Sequence, residues 1–457
     1  KKAQISGETS TTIIGKDPTR LHLVSRIVEG LEFNLTSAQK RALNEIVSDL
    51  RRPFPMHRLV QGDVGCGKTM VALLASAHVV ESGLQVSLMV PTEILAEQHF
   101  KTFRRILEPL GVQVGLLLGK MKVSEKAEIY SQISSGTIQI LIGTQALIQT
   151  GVSFNKLGLV IVDEQHRFGV IQRSNLKQKG GSPHFLVMTA TPIPRSLAMT
   201  VYGDLDVSVI DELPKGRQAV LTRVTDESKR NLVWNFVEKQ VLAGRQAYIV
   251  YPLVEESEKL DLQNAQSGFE NLKKRFPQLN VGLLHGKMKA EFKEQVMSRF
   301  RDGEIQVLVA TSVVEVGVDV PNANIIIVEH AERFGLSQLH QLRGRVGRGL
   351  HKSYCVLVLG RAVSRESRQR IGVLEQTTDG FRVAEEDLRI RGSGEIFGTR
   401  QSGLSGFRLA QLGRDQIILE QAREAAFKLI AMDPHLERSD HQRLKRVWET
   451  KKTQTLG

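Results

Sequence analysis

A glycine-framed loop carries the strongest chemical signal in this chain. Gly62-Asp63-Val64-Gly65-Cys66-Gly67-Lys68-Thr69 fits the pattern G-x-x-x-x-G-K-T. Glycines at that spacing let successive backbone N–H groups turn toward a single anion. A lysine then neutralises charge on the β and γ phosphates, and a threonine hydroxyl can ligate Mg²⁺. The loop lies between a strand pattern, Arg58-Leu59-Val60, and a helical pattern from Thr69 to Val80. The positive end of that helix would face the anion. The expected ligand is a nucleoside triphosphate with its Mg²⁺. Cys66 fills a loop position where only backbone and small size matter.

Two further clusters supply what hydrolysis of a phosphoanhydride needs. Asp163-Glu164-Gln165-His166 follows the apolar run Leu159-Val160-Ile161-Val162. Phosphoryl transfer to water requires a held metal ion and a group that orients the water. Asp163 suits the metal, together with Thr69, and Glu164 suits the general base. Acidic pairs are common in turns after strands, so this one draws its weight from the loop upstream. The segment Gln338-Leu339-His340-Gln341-Leu342-Arg343-Gly344-Arg345-Val346-Gly347-Arg348-Gly349 places three arginines within six residues. Arginine keeps its charge and presents a planar fork to phosphate oxygens. Arg345 and Arg348 are expected to reach the γ-phosphate, with Gln341 counted among the catalytic group. The alternative for this cluster is a patch for a nucleic-acid backbone. If the segment is helical, the i, i+3 spacing puts Arg345 and Arg348 on one face.

These clusters need rigid elements to position them, and the chain supplies a regular alternation from about Leu31. Strand patterns run at 58–60, 86–90, 138–142, 159–162 and 185–188, separated by helical ones. After Leu213-Pro214-Lys215-Gly216 the pattern restarts at 247–250, 281–284, 307–309, 325–328 and 355–359. That is the signature of parallel βαβ units, here in two tandem α/β lobes, 31–212 and 213–362. Residues 1–30, with an amphipathic stretch from Leu21 to Val28, read as a linker or remnant of something upstream. Residues 363–457 read as helical and charged. No short-period repeat or low-complexity tract stands out. Each polar cluster follows directly on a strand, where open parallel sheets place their ligand crevice.

Composition bounds the partners. The chain has 457 residues, 41% hydrophobic and 24% charged, the balance of a globular chain of two or three domains. No apolar run approaches the roughly 18 residues of a membrane span, and the start, Lys1-Lys2-Ala3-Gln4-Ile5, has no apolar signal-peptide core. Cys66 and Cys355 form no metal-ligand spacing and no disulfide framework, which suits a reducing cytosol. A formal net charge of +13 favours a polyanion such as nucleic acid. Aromatic residues are only 5% of the chain, which disfavours a single-strand binder that works by base stacking.

Taken in order, these blocks resemble those of superfamily-two helicases from about Leu31 to Leu359. Leu35-Thr36-Ser37-Ala38-Gln39 is similar to the adenine-reading motif, which implies Gln39 on the base. Pro91-Thr92-Glu93 and Gly143-Thr144-Gln145 resemble the first-lobe strand-contacting motifs. Thr189-Ala190-Thr191 resembles the motif that couples hydrolysis to lobe movement, and His166 is grouped with it. Thr311-Ser312 through Glu315-Val316-Gly317-Val318-Asp319 resembles the second-lobe motif that touches nucleic acid and nucleotide, which implies Thr311, Gly317 and Asp319. The resemblance implies two tandem RecA-like parallel-sheet lobes that use ATP and Mg²⁺.

The tetrad Asp-Glu-Gln-His, rather than Asp-Glu-Ala-Asp, argues against the large RNA-helicase group. Beyond the second lobe, Asp379-Gly380-Phe381, Ala384 to Glu395 and Gly398-Thr399-Arg400-Gln401-Ser402-Gly403 resemble the translocation motif of the RecG family of bacterial fork-reversing helicases, shared with transcription-repair coupling factors. The text around 61–65 and 168–173 is closest to the RecG family. The resemblance implies a helical hairpin and loop, with Arg391, Arg400 and Gln401 acting on duplex DNA. Glycines there supply permissive backbone and the arginines supply phosphate contacts. It also implies stalled forks and Holliday junctions as substrates, a bacterial nucleoid-associated location in the cytoplasm, a single-strand-binding protein as a further partner, and a monomer. Members of the family carry an N-terminal wedge domain, and only about thirty residues precede the adenine motif here. The expectation is therefore a motor portion without its wedge. A piece of a coupling-factor motor is the alternative.

Overall fold

The computed structural model describes residues 14, 22–149, 151–163, 182–192, 205–214, 218–252, 258–311, 320–349, 351–361, 363–391 and 415–455. In the first lobe the chain forms α1 (Leu23–Glu29), α2 (Ser37–Leu50), β1 (His57–Gly62), α3 (Lys68–Glu81), β2 (Gln85–Met89), α4 (Glu93–Leu107), β3 (Val114–Leu117), α5 (Val123–Ser135), β4 (Ile140–Gly143), β5 (Leu157–Asp163), β6 (His184–Thr189) and β7 (Asp206–Ile210). The second lobe holds β8 (Val220–Asp226), α6 (Arg230–Leu242), β9 (Gln246–Val250), α7 (Glu258–Arg275), β10 (Val281–Leu284), α8 (Ala290–Arg301), β11 (Val307–Ala310), β12 (Ala323–Val328), α9 (Leu336–Arg343) and β13 (Ser353–Leu359). Among the described residues there follow α10 (Arg365–Gln376), α11 (Gly380–Arg391), α12 (Gln416–Met432) and α13 (Gln442–Thr455).

Strand order is β3-β4-β2-β5-β6-β1-β7 in the first sheet and β10-β11-β9-β12-β13-β8 in the second. Every pairing is parallel. Parallel sheets are covered on both faces, so their central strands read as continuous apolar runs. Leu159 and Ile161 face one core of the first lobe, and Val160 and Val162 face the other. The same split divides Ile326 and Val328 from Ile325 and Ile327 in the second lobe. All strand C-termini of a lobe therefore open on one edge, as the placement of the polar clusters requires.

Three strands escape the sequence reading: β3, β7 and β8. Each lies at a sheet edge, where half-burial permits polar residues such as those of Val220-Leu221-Thr222-Arg223-Val224-Thr225-Asp226.

The boundaries also shift in meaning. The stretch expected as a linker includes α1, which lies on the first lobe: Ile27 is buried in its core and Leu23 and Val24 pack against it. Burying one such side chain contributes about 1.5–3 kcal/mol. The Glu81 carboxylate accepts from the backbone N–H of His22 and, at 2.7 Å, of Leu23. At the other end, α10 and α11 send Ile371, Val373, Leu374 and Val383 into the core of the second lobe. That part of the C-terminal region is packed on the second lobe.

Candidate active site

Strand β1 delivers the loop and α3 receives it. Gly65 and Gly67 hold φ of 77° and 86°, a left-handed backbone that glycine adopts without penalty. At Gly67 a Cβ would also stand 2.2 Å from Gln39 Nε2. Gln39 is buried, with one end of its amide on its own helix cap and the other on the loop. Its Oε1 accepts the Thr36 N–H at 2.9 Å in the capping box of α2, and its Nε2 donates to Cys66 O at 2.8 Å. Lys68 Nζ donates to Gly62 O at 2.7 Å and Asp63 O at 3.0 Å. Cys66 is buried, its Sγ only 2.5 Å from where a Cβ on Gly62 would be.

Asp163 ends β5, two strands from β1 in the sheet order. His99, on α4, sits with Nε2 3.1 Å from Asp163 Oδ2, so the motif around Thr92 and the acidic motif share a side-chain contact. Thr92 and Thr144 are N-cap residues: Thr92 Oγ1 accepts from Leu95 N–H at 3.4 Å, and Thr144 precedes a short 3₁₀ turn. Pro91 stands just before that cap. Gly143 lies where a Cβ would meet Leu117 O at 2.4 Å. Thr189 and Thr191 hydroxyls meet at 2.6 Å. Thr311 follows β11, buried, with its N–H on Leu284 O at 3.2 Å.

Thr69 at the head of α3 and Asp163 at the tip of β5 offer hydroxyl and carboxylate oxygens. Among the described residues no group of three or more His, Cys, Asp or Glu could hold an ion. Mg²⁺ prefers few protein oxygens plus substrate phosphates over a dedicated cage, and a hydroxyl and a carboxylate are donors of that kind.

The arginine segment is seated on the loop from the second lobe. A Cβ on Gly344 would lie 2.7–3.0 Å from the side-chain carbons of Val64, so the two motifs touch directly. Gln341 and Arg345 are buried here, and Arg348 Nε donates to Gly344 O at 3.3 Å. The helix expected to carry both fingers stops short. α9 ends at Arg343, and Gly344 with Gly347, at φ 83°, turns the chain. Arg345 and Arg348 therefore sit on a turn, not on one helical face.

Arg343, the third arginine, points away from this contact. Its guanidinium donates to Leu374 O at 2.9 Å, Thr377 O at 2.7 Å, Thr378 O at 3.1 Å and His340 Nδ1 at 2.7 Å. Burial pulls its pKa down from the ordinary value. His340 in turn meets Asp63 Oδ1 at 2.5 Å through Nε2. Burial alone would raise the Asp63 pKa. The hydrogen bonds from His340 and the Val64 N–H, with the Lys68 charge, outweigh it and hold the carboxyl below its usual value. Neither His99 nor His340 stood out in the sequence. For His340 a faint signal exists, the i, i+3 spacing to Arg343 on one helix.

Glu164, His166, Gly317, Asp319, Arg400 and Gln401 lie outside the described residues. Arg391 closes α11.

Similarities to known proteins agree with this geometry. Residues 36–200 match the DEAD/DEAH box helicase family model, 228–349 the helicase conserved C-terminal domain, and 377–456 the C-terminal part of domain 3 of the ATP-dependent DNA helicase RecG. The chain is 52% identical over 426 residues to ATP-dependent DNA helicase RecG of Synechocystis sp., covering 93% of this chain and 51% of that protein. It is 53% identical over 420 residues to the protein of that name in Aquifex aeolicus, covering 90% and 53%. A solved structure of RecG bound to a three-way DNA junction superposes with a TM-score of 0.76 at 44% identity, over 91% of this chain and 54% of that one. The chain spans about half the length of these relatives. No helix among the described residues is long and apolar enough to cross a membrane.

Proposed function

We propose, for a chain that belongs over its motor portion to the RecG family of helicases, that it is an ATP-driven translocase acting on branched duplex DNA. The observation that carries this reading is the seat of Gly344 on Val64. It makes the phosphate loop and the arginine segment two halves of one site, so that closing and opening of the lobes can follow binding and hydrolysis.

Within that site the loop N–H groups and Lys68 hold the triphosphate, and Lys68 exchanges the carbonyls of Gly62 and Asp63 for phosphate oxygens. Thr69 and Asp163 hold Mg²⁺, which neutralises phosphate charge. Gln39 serves the adenine end and braces the loop through Cys66 O. Glu164 takes a proton from the attacking water, and Arg345 and Arg348, with Gln341 beside them, stabilise charge developing on the γ-phosphate. Gly317 and Asp319 complete the nucleotide side from the second lobe. Thr92, Thr144, Thr189, Thr311, Arg391, Arg400 and Gln401 carry the movement to DNA, with forks and Holliday junctions as substrates. The whole protein works as a monomer in the bacterial cytoplasm, alongside a single-strand-binding protein.

The test is ATP hydrolysis in the presence of a synthetic fork. Lys68→Ala should lower turnover on the order of 100-fold or more. Equal turnover in parent and variant would remove the motor assignment, and activity that required RNA polymerase would replace it with the coupling-factor reading.

A further inference from the structure

The polar chain from Asp63 continues past the arginine segment and ends on a helix that no catalytic role explains. Arginine can only donate hydrogen bonds. Its NH2 on His340 Nδ1, at 2.7 Å, therefore makes Nδ1 an acceptor. Nε2 then carries the proton and donates to Asp63 Oδ1. The second oxygen of the same carboxylate, Oδ2, accepts the backbone N–H of Gly380 at 3.3 Å. Gly380 is the first residue of α11.

Both ends of the corner between α10 and α11 are thus tied to the active-site motifs. Arg343 places a cation on the C-terminal carbonyl of α10, at Leu374, and on the linking carbonyls of Thr377 and Thr378. Asp63 places an anion at the N-terminus of α11. Each sits where the helix dipole favours it. The packing is equally close. A Cβ at residue 380 would stand 2.4 Å from His340 Nε2 and 2.6 Å from Pro192 Cγ. Pro192 follows directly on Thr189-Ala190-Thr191. One glycine therefore meets all three motifs: its N–H bonds the Asp63 carboxylate of the phosphate loop, and its bare Cα lies against His340 of the arginine segment and Pro192, just after the threonine motif.

We propose that Asp63, His340 and Gly380 form a coupling joint: positioning residues that carry the state of the phosphate loop into α11 and so into DNA movement. This rests on the motor reading above. Asp63 is suited to the role because its backbone belongs to the phosphate cradle while its side chain faces α9 and α11. When Lys68 leaves the Asp63 carbonyl for a phosphate, the peptide that bears the joint's carboxylate is the one released. α11 then moves with the loop because only the short Asp63 side chain links the loop backbone to the Gly380 N–H.

The measurement is strand displacement from a triplex per ATP hydrolysed, made on the intact protein with a fork-stimulated ATPase assay in parallel. Gly380→Ala should lower displacement per ATP about tenfold with ATP turnover changed less than threefold. Gly372→Ala, in α10 with nothing within 4 Å of the added Cβ, should leave the ratio as in the parent. Asp63→Asn and His340→Gln complete a double-mutant cycle. Because they act through one contact, the double variant should lose no more displacement per ATP than the worse single one. An unchanged ratio in folded Gly380→Ala, or losses that multiply in the cycle, would overturn the joint. Failure of the parent to hydrolyse ATP on forks would instead overturn the motor reading, and the two results are separable because the ratio is defined only for protein that turns over.

Discussion

The strand order β3-β4-β2-β5-β6-β1 of the first lobe returns in the second as β10-β11-β9-β12-β13-β8. The likeness reaches single residues, since Val114 to Thr144 aligns position for position with Val281 to Thr311. Gly115 and Gly282 each lie where a Cβ would crowd an isoleucine, Ile138 and Ile305. Lys126 and Lys293 donate to the carbonyls of Gly119 and Gly286 at 2.7 and 2.6 Å. Gln85 donates to Ile133 O and Ile138 O, and Gln246 donates to Phe300 O and Ile305 O. The lobes part company at the matching strands β1 and β8. β1 runs into the glycine loop, whereas β8 ends at Asp226, whose carboxylate caps a 3₁₀ turn. The residues the lobes share build the frame, and under the proposed function the chemistry lies where they differ, one lobe gripping phosphate and the other completing the site.

That division of labour can be broken most sharply at Arg345. Arg345→Ala should lower fork-stimulated ATP turnover on the order of 1,000-fold, the scale of an arginine finger, while affinity for a fluorescent ATP analogue changes only a few-fold. Equal loss of binding and turnover would mean that the second lobe grips the nucleotide as the first does. A smaller effect tests the frames. At the ends of β4 and β11 the first lobe has Gly143, with Leu117 O only 2.4 Å from a Cβ, and the second has Ala310. Gly143→Ala should cost about 1–3 kcal/mol by overpacking, against about 0.5–1 kcal/mol for Ala310→Gly, both read by chemical denaturation. Equal costs would show that the two strand ends pack alike. Gln85→Leu and Gln246→Leu should each cost about 1–3 kcal/mol by stranding two carbonyls, and their costs should add within about 0.5 kcal/mol, since the sites share no partner.

How much of this was legible beforehand follows from where each feature's determinants lie. The loop at Gly62 to Thr69 could be read because every determinant is local: positive-φ glycines, a lysine and a threonine on one short stretch. The central strands show through because burial on both faces leaves unbroken apolar runs, whereas β7 and β8 lie at sheet edges and mix polar residues into their runs; β3, Val114-Gly115-Leu116-Leu117, is as apolar as its counterpart β10, and polarity does not explain why it escapes. The Arg345 and Arg348 spacing suggested a helical face, and Gly344 with Gly347 ended the helix first. His99, His340 and Gly380 were illegible for a different reason. Their partners are Asp163 and Asp63, far away in the chain, and only the fold brings them together. Gly380 lies in a segment that resembles the translocation motif, yet its need for a bare Cα comes from His340 and Pro192.

The two lobes also meet where the first of the repeated loops, Gly119-Lys120-Met121-Lys122, reaches α8, the helix that follows its counterpart Gly286-Lys287-Met288-Lys289, and here the smallest effect is expected. Lys120 Nζ reaches Glu294 on α8 of the other lobe at 2.9 Å, with Glu97 and Glu93 of its own lobe at 3.4 and 3.5 Å. Burial works against the charged amine, but Glu294 first and the other carboxylates after it push its pKa up to about 12. The side chain is 45% exposed, so solvent screens the pair and Lys120→Ala should cost no more than about 1 kcal/mol. A raised pKa makes that contribution complete below the unfolded value of 10.5 and lost as pH rises through about 12. Between pH 6 and 9 the difference in melting temperature between parent and variant should therefore be flat, and near 1 M salt, where the screening length is about 3 Å, it should vanish. A difference that survived high salt would make this contact a packed part of the lobe interface. One that vanished would mark it as a weak latch that the lobes can release in each cycle.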